Sequence, residues 1–132
     1  MSRIRVFLGC SSVYKIMSLK TIFMQEPDIE IVGEAIDTVD ILLEVGNSHA
    51  EVVAIDVPLS GKDSGLCSHL LAEYPEVKVF AVSEEGDRIL MYETAVLRRE
   101  ISNTSLGNLP DLIRRSMRSL YNGWDAMRPL PS

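Results

Sequence analysis

At 132 residues the chain is long enough for one domain with one core and too short for two of ordinary size. It is 46% hydrophobic and 24% charged, as soluble globular proteins are, and no apolar run approaches the length of a membrane span. A net charge of −6 argues against gripping nucleic acid by phosphate neutralisation.

Two cysteines, Cys10 and Cys67, fit no metal-ligand spacing and no disulfide framework, and His49 and His69 stand alone. Only about six apolar residues follow Arg3 and Arg5, too few for the apolar region of a secretory signal. The expected location is therefore the cytoplasm.

Residues 3–8 alternate and then turn apolar, which predicts a first strand. Gly9-Cys10-Ser11-Ser12 breaks it, and either serine can cap the helix that follows. Ile16, Leu19 and Phe23 recur at helical spacing, and Pro27 ends that helix. Residues 29–35 predict a second strand. Asp37 opens a second helix carrying Val39, Leu42 and Leu43, which Gly46-Asn47 closes.

Glu51-Val52-Val53-Ala54-Ile55-Asp56 comes next. Four apolar residues in a row, three of them β-branched, predict a strand buried on both faces. The run ends in an aspartate before a loop with two breakers, Pro58 and Gly61. A carboxylate there sits where open α/β sheets place their ligands, although most strand-end aspartates merely meet solvent.

Leu66, Leu70, Leu71 and Tyr74 mark a third helix, and residues 77–82 a fourth strand ending at Ser83. A fourth helix is expected over residues 88–97, and a short fifth strand over residues 99–102. Asn108 caps a last helix with Leu109, Leu112, Ser116 and Met117 along its apolar stripe. Five strands alternating with five helices predict a parallel sheet covered on both faces, a three-layer α/β sandwich. The domain is expected over residues 1–121, with 122–132 as a tail or linker containing two prolines.

The element order, with Asp56 after the third strand and Ser83 after the fourth, resembles the receiver domain of bacterial response regulators. Ile4-Arg5-Val6, residues 26–35 and Tyr74-Pro75-Glu76-Val77-Lys78-Val79 look like the NarL/FixJ-type branch. The resemblance covers roughly residues 3–120 and implies a flavodoxin-like fold with strand order 2-1-3-4-5. It also implies that Asp56 stands at the phosphoacceptor position and Ser83 at the switch position. In that family an acidic pair after the first strand holds Mg²⁺, and a lysine after the fifth strand contacts the phosphoryl oxygens. Here the acidic-pair positions are Cys10 and Ser11, and no lysine follows Lys78. The loop Lys62-Asp63-Ser64-Gly65 also looks one residue longer than the family's turn.

Phosphoryl transfer rests on positioning and charge stabilisation. Mg²⁺ takes hard oxygen ligands, for which a thiol is a poor substitute. Each missing electrostatic contact is typically worth ~3–4 kcal/mol in rate. The expectation is that Asp56 is not phosphorylated by the usual route, and that the domain uses neither metal nor cofactor and is not an enzyme. The competing reading is a conventional phosphoacceptor at Asp56 with a rearranged metal site, for which Asp63, Glu84 and Glu85 are candidates. Cys10, with no basic neighbour in sequence, reads as apolar filler rather than a redox sensor. Ser83 reads equally as a switch or as a helix-entry cap.

By the same resemblance, output passes through the face formed by the fourth helix, fifth strand and last helix. That face would draw on Arg88, Tyr92, Arg98, Arg99, Arg114, Arg115 and Arg118 to meet a partner or a second copy. DNA contact is expected only through an effector domain that these residues do not contain, and no membrane contact is expected. A nucleotide- or flavin-binding protein is the rival class, weakened by the lack of a glycine-rich loop after the first strand.

Overall fold

The computed structural model describes residues 3–57, 65–83, 88–94, 97–101 and 106–118. The elements are β1 (Ile4–Gly9), α1 (Val13–Phe23), β2 (Ile29–Ala35), α2 (Thr38–Ser48) and β3 (Val52–Val57). There follow α3 (Leu66–Glu73), β4 (Lys78–Ser83), β5 (Ile89–Thr94) and β6 (Leu97–Ile101). A short 3-10 turn (Leu106–Asn108) then leads into α4 (Leu109–Arg118).

The strands form one sheet in the order β2-β1-β3-β4-β5-β6. The first five places run 2-1-3-4-5, the flavodoxin-like order. β1, β2, β3 and β4 run parallel to one another. One apolar layer joins α1 and α4 to the sheet through Leu8, Leu19, Phe23, Phe80, Leu109 and Ile113. The other joins α2 and α3 through Phe7, Ile41, Val45, Leu70 and Val79. β3, buried between the layers, alternates Val52 and Ala54 into one and Val53 and Ile55 into the other.

Local chemistry explains most boundaries. The Ser12 hydroxyl accepts from the Lys15 N–H and caps α1, while the Asp37 carboxylate accepts from the N–H groups of Val39 and Asp40 and caps α2. α2 runs past the expected stop at Gly46 to Ser48, and His49 closes it in the left-handed region at φ 58°. Gly46 instead serves packing. A Cβ there would lie 2.7 Å from the Tyr74 hydroxyl, which donates to the Leu42 carbonyl at 2.6 Å.

One expectation is overturned: the fourth helix does not form. Residues 89–94 are β5, antiparallel to β4, with Val79 opposite Tyr92 and Val82 opposite Ile89. β6 pairs antiparallel with β5 in turn, so the sheet has six strands, of which β5 runs against the rest and β6 returns to the common direction. Ile89 and Met91 enter the α1/α4 layer, whereas Tyr92 enters the α2/α3 layer and Leu90 packs against it. That is the period-two burial of a strand with two apolar faces. Four consecutive large apolar residues satisfy a helix or a strand equally, and pairing with the buried β4 decides between them.

Candidate functional site

The carboxyl ends of β1, β3 and β4 meet at one mouth of the sheet. Gly9 is in register with Ile55, Asp56 with Val82, and Val57 with Ser83. Asp56, the penultimate residue of β3, therefore stands between the loop after β1 and the end of β4.

The loop after β1 closes onto it. The Ser11 N–H donates to both carboxylate oxygens of Asp56, at 3.1 and 3.2 Å, and the Ser11 hydroxyl donates to Oδ2 at 2.5 Å. Ser12 is engaged in capping α1. Cys10 is 1% exposed in the α1/α4 layer. Burial first, and the Asp56 charge second, push its thiol up to about 12, with Lys15 pulling the other way. A thiol held protonated is inert as nucleophile and as ligand.

Sequence reasoning missed Lys15. Its ammonium donates to the Ser83 carbonyl at 3.1 Å, which ties α1 to the end of β4 and brings a cation to the same mouth. The indication was available: Lys15 follows the Ser12 cap by three residues, and side chains of a first helical turn lean back toward the helix start. Ser83 is tied twice more. Its N–H donates to the Arg88 carbonyl at 2.9 Å, and its hydroxyl accepts from the Arg88 N–H at 3.0 Å. Ser83 thus pairs with Arg88, the residue before β5, rather than capping the helix expected over residues 88–97.

Among the described residues the donors beside Asp56 do not suit Mg²⁺. The positions beside Asp56 present a buried protonated thiol and a serine whose two hydrogens point at the carboxylate, where an ion needs oxygen lone pairs. Among the described residues no group of three or more His, Cys, Asp or Glu side chains is arranged to hold a metal. Asp63, Glu84 and Glu85 lie outside the described residues, as does the tail 122–132.

The expected partner face is not assembled as anticipated, because its helix is a strand. Tyr92 is 9% exposed and packs inward. Arg114 is an internal clamp. Its guanidinium donates to both oxygens of Asp28 at 2.7 and 2.8 Å, reaches Glu26 at 3.0 Å and takes Asp111 of its own helix at 2.7 Å. These bonds hold it fully protonated, the Asp28 hydrogen bonds foremost. They fasten α4 to the connection between α1 and β2. Arg88 and Arg115 are exposed, Arg98 and Arg99 lie in β6, and Arg118 ends α4.

No family model and no curated protein matches the chain. Solved structures do. The isolated receiver domain of RcsB from Salmonella enterica serovar Typhimurium, in the presence of the phosphomimetic BeF3-, aligns over 96% of this chain and 100% of its own, with 11% identity and a TM-score of 0.66. The response regulator domain of Thermotoga maritima CheB aligns over 63% of this chain and 62% of its own, with 24% identity and a TM-score of 0.54. A longer Salmonella typhimurium RcsB chain, solved in a study of its DNA interaction, aligns over 66% of this chain and 45% of its own, with 14% identity and a TM-score of 0.57. The chain thus has the receiver-domain fold of response regulators and spans under half of that longer RcsB chain.

Proposed function

We propose that this chain is an atypical response-regulator receiver domain that controls output without phosphorylation of Asp56. The observation that carries the reading is the closed hydrogen-bond set at the mouth. Both oxygens of Asp56 are taken by Ser11, and Ser83 is tied through its N–H, hydroxyl and carbonyl to Arg88 and Lys15. A switch of this type needs an acid open to a phosphoryl group and a hydroxyl free to move toward it. In this chain internal bonds occupy both groups. In this reading the domain is not an enzyme and acts in the cytoplasm, by contact with a protein partner or a second copy. Transcription is the output in view, because RcsB, whose DNA interaction has been studied structurally, shares the fold. Any DNA contact is made by a separate effector domain. The contact surface is the basic last third without Tyr92 and Arg114, leaving Arg88, Arg98, Arg99, Arg115 and Arg118. Reversing the charge of Arg115 should alter assembly or partner binding on sizing chromatography, and no change would count against that surface.

A second reading, in which Asp56 does accept a phosphoryl group, draws support from Lys15, whose ammonium stands at the mouth where the family's lysine is missing. Incubation with Mg²⁺ and acetyl phosphate, followed by intact mass measurement, separates the two. The first reading expects no adduct. A stoichiometric phosphoryl adduct that disappears in Asp56→Asn establishes the second instead.

A further inference from the structure

α2 is apolar on two sides. Ile41 and Val45 face the sheet and are buried. About 200° round the helix from Ile41, Val39 and Leu43 point outward, both 61% exposed, and Ile36, just before the Asp37 cap, is 54% exposed. Val39 and Leu43, four residues apart, share one face of the helix and form an outward apolar seam. A second apolar stripe of this kind is the mark of a helix that packs on both sides.

Beside it stand two acids at the same spacing, Asp40 and Glu44, each one residue further along, with the cap Asp37 ahead of them at the helix start. Helix capping and the macrodipole account for Asp37 and Asp40 at the helix start. They do not account for Glu44, well past the first turn. Residues 36–48 contain no Lys, Arg or His, and among the described residues Asp40 and Glu44 enter no ion pair. Among the described residues the seam is therefore flanked by negative charge that no ion pair compensates.

From this charge pattern we infer that the outer face of α2 docks a basic amphipathic helix of a partner protein, with apolar residues at helical spacing flanked by Lys or Arg. The seam supplies the apolar contact, and Asp40 and Glu44 select the sign of the flank. A second copy packed α2 to α2 would set these acids against themselves in a chain of net charge −6. Anionic lipid headgroups would be repelled for the same reason. The inference does not depend on whether Asp56 takes a phosphoryl group.

The test uses the full chain and three labelled peptides of about 18 residues, long enough for roughly five helical turns. One has leucines at helical spacing on a lysine background, one has the leucines replaced by serine, and one has the lysines replaced by glutamate. Fluorescence anisotropy at low salt should show binding of the first and at least about tenfold weaker binding of the other two. Val39→Ser with Leu43→Ser, and separately Asp40→Asn with Glu44→Lys, should each weaken the first peptide by about tenfold or more. Met17→Ser, on exposed α1, should leave it unchanged, and thermal melting checks that each variant is folded. The inference fails if the leucine-free peptide binds as well as the first, or if the α2 variants bind undiminished. It also fails if sedimentation shows a dimer that Val39→Ser with Leu43→Ser dissociates, since the occupant is then a second copy.

Discussion

The bond between Ser11 and Asp56 is the most direct test of the closed mouth. Ser11→Ala deletes the hydroxyl, which donates to the carboxylate at 2.5 Å, and leaves the backbone N–H in place. Hydrogen bonds to charged groups contribute about 1.5–3 kcal/mol. Ser11 is exposed and Asp56 half-buried, so solvent replaces part of the loss. The expected destabilisation is about 1–2 kcal/mol, measured by urea unfolding at neutral pH. Asp56→Asn should cost a similar amount, because the amide accepts from Ser11 less strongly than the carboxylate. The double variant should cost clearly less than the sum, with a coupling of about 1 kcal/mol. A coupling below about 0.3 kcal/mol, within ordinary additivity, would show that the hydroxyl does not hold the acid. Proposed phosphorylation independence would then lose its main support.

Three further outcomes are expected. Arg114→Met keeps the aliphatic stem but removes bonds to Asp28 and Glu26 in a half-buried setting; it should cost about 2–3 kcal/mol in urea unfolding. Asp111→Asn, at the most exposed of the three partners, should cost under about 0.5 kcal/mol, and the reverse order would refute the clamp. The Cys10 thiol, raised from 9.0 to about 12, makes the folded state hold a proton that the unfolded chain releases. Stability should therefore fall as pH rises from about 9 toward 12, by at most about 1.4 kcal/mol per pH unit, and Cys10→Ala should remove that share of the slope. Equal slopes in the two proteins would refute it. Gly46→Ala pushes a methyl against the Tyr74 ring and should destabilise by about 1–3 kcal/mol despite alanine's helix propensity, with Tyr74→Leu restoring part of the loss. A neutral or stabilising Gly46→Ala would show that the ring yields.

Much of this was written locally along the chain. The four parallel strands announce themselves as apolar or alternating runs between breakers, and Ser12 and Asp37 mark two helix starts by their own side chains. The position of Asp56 at a strand end was legible for the same reason: it depends on neighbours in sequence.

What residues 89–94 become was not local. Ile89, Leu90, Met91 and Tyr92 suit a buried helix or a two-faced strand, and only β4 alongside them and an apolar layer on each side select the strand. Nor could spacing reveal that Arg114 is consumed by Asp28, 86 positions away, or that Lys15 reaches Ser83 across 68. Amino-acid order by itself determined the period of most elements and the caps that start α1 and α2. The tertiary structure decided which charges meet, because hydrogen bonds and ion pairs act over a few ångströms and folding alone brings distant residues that close.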